Sequence, residues 1–84
     1  MTSEQIEDYI EKNKKKDSPV SIYFKDRSPV TGIFIDSRDY NELKAKNFWR
    51  IVSSAHFEQW KQTKDENLAR IFNGFSFTRL TKEN

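Results

Sequence analysis

Residues 19–41, PVSIYFKDRSPVTGIFIDSRDYN, hold two strand-like runs separated by a turn and end in a polar, aromatic loop. In the first run Val20, Ile22 and Phe24 alternate with Ser21, Tyr23 and Lys25, which puts apolar side chains on one face of an extended chain and polar ones on the other. Asp26-Arg27-Ser28-Pro29 then supplies turn chemistry, because Asp bonds its own backbone and Pro fixes φ and offers no N–H to a central ladder. The second run, 30–37, carries Val30, Gly32 and Phe34 on one face, and a glycine inside a strand marks a sharp bend or a close backbone approach. A hairpin with a glycine in its second strand predicts the corner of a small barrel.

Toward the N-terminus, Thr2 and Gln5 have capping-box spacing, and Ile6, Tyr9 and Ile10 recur at helical intervals. The pattern predicts a helix over 3–15, with Glu4, Glu7 and Asp8 in its first turns and lysines in its last, as the helix dipole prefers. Pro19 disfavours helical geometry at Ser18 and ends it. The run Lys12, Lys14, Lys15, Lys16 has two readings: a solvated helix end, or a basic patch that contacts phosphates.

Toward the C-terminus, NELKAKN (41–47) reads as a polar loop, and Phe48-Trp49-Arg50-Ile51-Val52 as a third strand. That strand is apolar on both faces, so it is central, or covered by an assembly or a helix lid. Ser53 and Ser54 are placed to cap a short helix over 55–60 that sets Phe57 and Trp60 on one stripe, although 53–67 stays open between a helix and a strand extension. The last strands are predicted at 68–72 and 75–80. Between them Asn73-Gly74 is the strongest short hairpin signal, a type I′ turn with positive φ at both positions.

A chain of 84 residues makes one domain, and a domain this small buries only roughly 60 to 65% of its unfolded surface. The chain has no cysteine, which removes disulfides and thiolate metal sites and fits a reducing cytosol. Oligomerisation is the remaining common source of burial, and seven Phe, three Tyr and two Trp supply sticky surface for it. A net charge of +2 gives no global electropositive field, so any nucleic-acid site must be local. No apolar run reaches the ~20 residues of a membrane span and no signal peptide opens the chain, so the expectation is a soluble, unprocessed, cytoplasmic protein.

Val-x-Ile-x-Phe, a short turn, Gly32, Phe34 and then Asp39-Tyr40-Asn41 resemble the first motif of the Sm and Sm-like (LSm/Hfq) superfamily of RNA-binding proteins. Pro19-Val20-Ser21-Ile22-Tyr23 is also similar to the opening strand of its bacterial branch, Hfq, and Ile71-Phe72-Asn73-Gly74 resembles the second Sm motif. The likeness covers about half of the chain. It departs from the family where Arg27 or Ser28 stands in place of a turn glycine, where Asn73 replaces an arginine, and where the Tyr-Lys-His of Hfq is absent. The resemblance implies a mainly β, SH3-like, Sm-type five-stranded bent barrel behind an N-terminal α-helix, assembled into a homo-oligomeric ring that binds single-stranded RNA. It implies that Asp39, Tyr40 and Asn41 line a pore and hold a base, with Asn73 and Gly74 on the facing loop.

The residue chemistry agrees with that implication: an aromatic ring is a stacking platform, and Asn pairs a donor and an acceptor with a base edge. As ordinary turn residues, Asp39, Asn41, Asn73 and Gly74 need no function. Tyr23 matches the tyrosine with which Hfq binds adenine-rich RNA, but Pro29 and Thr31 stand where that site has lysine and glutamine. The alternative function is a protein-interaction or assembly module on the same barrel without RNA binding. An enzyme is not expected: His56 is the single histidine, Ser53 and Ser54 lie outside any G-x-S-x-G elbow, and Gly32 and Gly74 are the only glycines. Asp36, Asp39 and Glu42 beside Arg38 read as a solvated surface, and no cofactor or metal is expected.

Overall fold

The capping box at the start of the chain closes on itself: the Gln5 N–H donates to Thr2 Oγ1 (3.2 Å) and the Thr2 N–H donates to Gln5 Oε1 (2.9 Å). A computed structural model describes residues 1–13 and 19–82. Helix α1 spans Ser3–Lys12 and ends sooner than the predicted 3–15. Asn13 stops it, donating both its N–H (3.1 Å) and its side-chain amide (2.9 Å) to the Tyr9 carbonyl, a local bond that competes with further helix. Lys14, Lys15 and Lys16 lie outside the described residues, while Lys12 forms an exposed pair with Asp8 one turn earlier (2.9 Å).

Five strands follow: β1 (Val20–Phe24), β2 (Val30–Phe34), β3 (Phe48–Ser53), β4 (Arg70–Asn73) and β5 (Phe77–Lys82). They form one antiparallel sheet in the order β4-β3-β2-β1-β5. In a flat sheet, strands three places apart lie about 14 Å from each other. Yet Phe24 of β1 and Phe72 of β4 bring their ring centroids to 5.8 Å, so the sheet curls and fits a bent barrel. The β1–β5 register shifts between Tyr23 and Phe24, an irregularity of the kind that bends a strand. Gly32, paired with Val20 on one side and Ser53 on the other, is there for close approach. A Cβ at that position would sit 2.5 Å from Ile51 Cγ2 and 2.9 Å from the Val52 carbonyl oxygen.

The curled face encloses Val20, Ile22, Trp49, Ile51, Phe77 and Leu80, sealed by Ile6 of α1. Full burial of an aliphatic or aromatic side chain contributes about 1.5–3 kcal/mol, which is how a ten-residue helix holds its place on the sheet. The opposite face carries Ile33, Ile35 and Val52, and this second core is closed by Trp60 of a helix, α3 (Phe57–Thr63). The two apolar faces of β3 are thereby explained by a central position and a helix lid. Ser53 extends β3 by one residue, and beyond it come a 3-10 turn (Ser54–His56), α3 and a second such turn (Glu66–Leu68). Ser53 flanks the first turn without a side-chain capping bond.

Two expectations are corrected. Residues 41–45 are not a loop but belong to helix α2 (Tyr40–Ala45), which leaves only 46–47 as a turn. Glu42, Leu43, Lys44 and Ala45 are good helix formers, and tertiary contacts hold the short helix: the Ser3 hydroxyl donates to the Lys44 carbonyl, and the Lys44 ammonium pairs with Glu7 of α1. Asn73-Gly74 is not a type I′ hairpin turn either. No glycine has positive φ, Gly74–Ser76 is a 3-10 turn, and β4 and β5 pair with β3 and β1 instead of with each other. Strand ends differ too: β2 stops at Phe34, β4 begins at Arg70, and β5 spans Phe77–Lys82. Among the described residues, no helix is long and apolar enough to cross a membrane.

Candidate nucleic-acid interface

β2 runs out into a polar segment that turns into α2, and this junction carries three of the residues singled out from the sequence. Asp39 stands at the N-terminal end of α2. Its carboxylate accepts from Arg50 Nε (3.1 Å) and Nη2 (2.7 Å) and from the Ser37 hydroxyl. The two-pronged Arg50 bond first, and the Ser37 bond second, hold the Asp39 carboxyl well below the ordinary carboxylate range. Arg50 projects from the middle of β3, so the fork straps the start of α2 to the sheet.

Tyr40 is half-buried, edge-on to Trp49 with centroids 6.0 Å apart, and the Lys44 ammonium lies 5.6 Å over its ring. Burial raises the phenol pKa above its ordinary value. Asn41, in the first turn of α2, is exposed. Beside them Arg38, Asp39, Glu42, Arg50 and Glu66 line an open hollow of about 370 Å³. Three carboxylates against two guanidiniums give it no bias toward a phosphate.

Asn73 and Gly74 belong to a different part of the molecule, joined to the first by a chain of contacts. Asn47, buried and in left-handed backbone geometry (φ 60°), follows α2. Its carbonyl accepts the Gly74 N–H (2.7 Å), its Oδ1 accepts Trp49 Nε1 (2.8 Å), and its Nδ2 donates to the Met1 carbonyl (2.9 Å). Trp49 in turn meets Tyr40. Asn73 uses its side-chain oxygen to accept the Phe75 N–H (3.0 Å), a local turn bond. Tyr23 lies on β1 next to β5, where the Arg79 guanidinium covers its ring at 4.2 Å.

The partners that organise these residues, Arg50, Lys44, Asn47 and Arg79, were not singled out from the sequence. An arginine at the centre of an otherwise apolar strand was the one available signal, since it demands a carboxylate nearby. The fold and site together define a small mixed α/β domain built on a curled, five-stranded antiparallel sheet with an N-terminal helix. No family model, curated protein or solved structure matches the chain.

Proposed function

We propose that the chain is an Sm-like barrel protein that assembles edge to edge into a homo-oligomeric ring and binds single-stranded RNA on the face bearing Asp39, Tyr40 and Asn41. The observation that carries the reading is the strand order β4-β3-β2-β1-β5, which leaves β4 and β5 as open edges on one curled sheet. An open edge is a row of unpaired N–H and C=O groups ready to extend onto another chain. β4 also exposes Ile71, 49% accessible, where a neighbouring copy would cover it. Pairing β4 of one copy with β5 of the next is a heterologous contact, and repetition of such a contact closes a ring when the rotation allows. In this reading the protein works in the cytoplasm, without a cofactor and without catalysis.

The exposed Asn41 amide and the half-buried Tyr40 ring supply a base-edge partner and a stacking surface side by side in the first turn of one helix. A second reading, an assembly module without RNA, is favoured by one observation: the polar atoms of Asp39 and Asn73 already have partners inside the protein. Titration of labelled oligo-U and oligo-A at low and moderate salt separates the two. The RNA reading expects salt-dependent binding to at least one, weakened about tenfold by Tyr40→Ala through loss of a stacking contact. Binding to neither oligonucleotide leaves the assembly module.

A further inference from the structure

Arg27 sits in the exposed β1–β2 turn, where a long cationic side chain ordinarily extends into water. Here its guanidinium carbon lies 5.1 Å from the centroid of Phe24 and 5.7 Å from that of Phe72, so one cation covers two phenyl rings. The rings beneath are fixed: Phe24 meets Phe72 at 5.8 Å and the buried Phe77 edge-on at 5.3 Å. Among the described residues no carboxylate pairs with Arg27 or with Lys25. The Lys25 N–H donates to the Ser76 carbonyl (3.1 Å), which ties the turn to the residue that follows Phe75 in the chain. Phe75 is 58% exposed, a large apolar side chain left in solvent. The Met1 amino group donates to the carbonyls of Gly74 (3.0 Å) and Phe77 (2.7 Å). Its own burial, and then the Lys25 charge nearby, hold its pKa below the ordinary value.

We infer that Arg27, stacked on Phe24 and Phe72, and the neighbouring Phe75 and Lys25 form a second stacking site for single-stranded RNA, built from none of the Asp39-Tyr40-Asn41 residues. The inference rests on the RNA reading above. A nucleotide presents a π-face and a phosphate charge in one unit, and this part of the molecule carries an exposed phenyl ring, a guanidinium seated on two others, and a lysine one hydrogen bond from Ser76. The solvent side of a guanidinium whose other side rests on aromatic rings stacks a base, while its N–H edge reaches a phosphate oxygen. An acidic peptide supplies the charge but not the ring in the same residue.

Fluorescence anisotropy of labelled oligo-A and oligo-U across a salt series tests the site with the full chain carrying Phe75→Ala, Arg27→Ala or Arg27→Lys. Melting temperature and solution mass serve as controls for each variant. Phe75→Ala is expected to weaken binding about tenfold with the salt slope unchanged, since a stack and no charge is lost. Arg27→Ala is expected to weaken binding and to flatten the slope by about one, and Arg27→Lys to restore the slope but not the affinity. If both alanine variants bind as wild type while Tyr40→Ala is impaired, this second site is overturned and the RNA reading stands. If wild type binds neither oligonucleotide, both fall. A change of solution mass in Phe75→Ala with RNA affinity intact reassigns the ring to an interface between copies, and Arg27-dependent capture of labelled oligo-glutamate in place of RNA reassigns the cluster to acidic peptides. Either result overturns the inference.

Discussion

Gly74 lies buried under Asn47, and its lack of a side chain matters for space, not for backbone freedom. A Cβ there would fall 2.2 Å from Asn47 Oδ1 and 2.6 Å from Ile6 Cδ1. Asn47 cannot swing aside freely, because that same Oδ1 holds the indole N–H of Trp49 and its amide holds the Met1 carbonyl. Gly74→Ala should therefore cost about 1–3 kcal/mol, the usual range for overpacking a tight site. For a domain of this size that is a drop in melting temperature of about 4–8 °C per kcal/mol, read by calorimetry or circular dichroism. An unchanged melting temperature would show that the Asn47 network gives way without cost. The dipeptide Asn73-Gly74 shows how a local signal misleads: the pair fits a type I′ turn by composition, yet what decides its geometry is Asn47, remote in the chain, and Ile6, more remote still.

At the scale of elements, α2 is a six-residue helix that cannot stand alone. It is held at its start by the Asp39–Arg50 fork and near its end by Lys44 on Glu7 and by the Ser3 hydroxyl. Because the folded state depresses the Asp39 pKa, the contribution of the fork to stability is present above the ordinary carboxylate value, near pH 4. It is lost as pH falls toward the folded value. The melting temperature of Arg50→Gln should accordingly lie below that of wild type at pH 7, with the gap narrowing as pH falls below about 4. A gap that stays constant down to acid pH would mean that the fork does not hold the helix. β1 was legible from sequence because it is amphipathic on its own, with the period of two written into neighbouring residues, and β2 because a turn of Asp, Ser and Pro precedes a run of β-formers. α1 was legible for the same reason as β1, with its cap supplied by Thr2 and Gln5. α2 was not, because six residues with good helix propensity are too few to signal a helix, and the partners that hold it, Glu7, Ser3 and Arg50, come from α1 and β3. The candidate site divides the same way: Asp39, Tyr40 and Asn41 stand together in the chain and were visible, while Arg50 reaches Asp39, and Arg79 reaches Tyr23, only through the fold.

At the scale of the whole molecule, two small cores share one curled sheet. One is sealed by Ile6 of α1 and the other by Trp60 of α3. Phe57 and Trp60 on one stripe hinted at the second lid, but only the pairing of β3 between β2 and β4 shows which face it covers. Helices close the faces of the sheet, whereas its ends stay open along β4 and β5. Those edges, with Ile71 exposed on β4, are where the proposed second copy would find backbone to pair with and apolar surface to bury. Edge-to-edge assembly is the claim on which the ring and its RNA face depend. Light scattering coupled to size-exclusion chromatography, on the full chain at micromolar concentration, tests it most directly. A mass several times that of one chain, reduced toward the monomer by a charged residue at Ile71, is the predicted result, and a monomer at every concentration would contradict it.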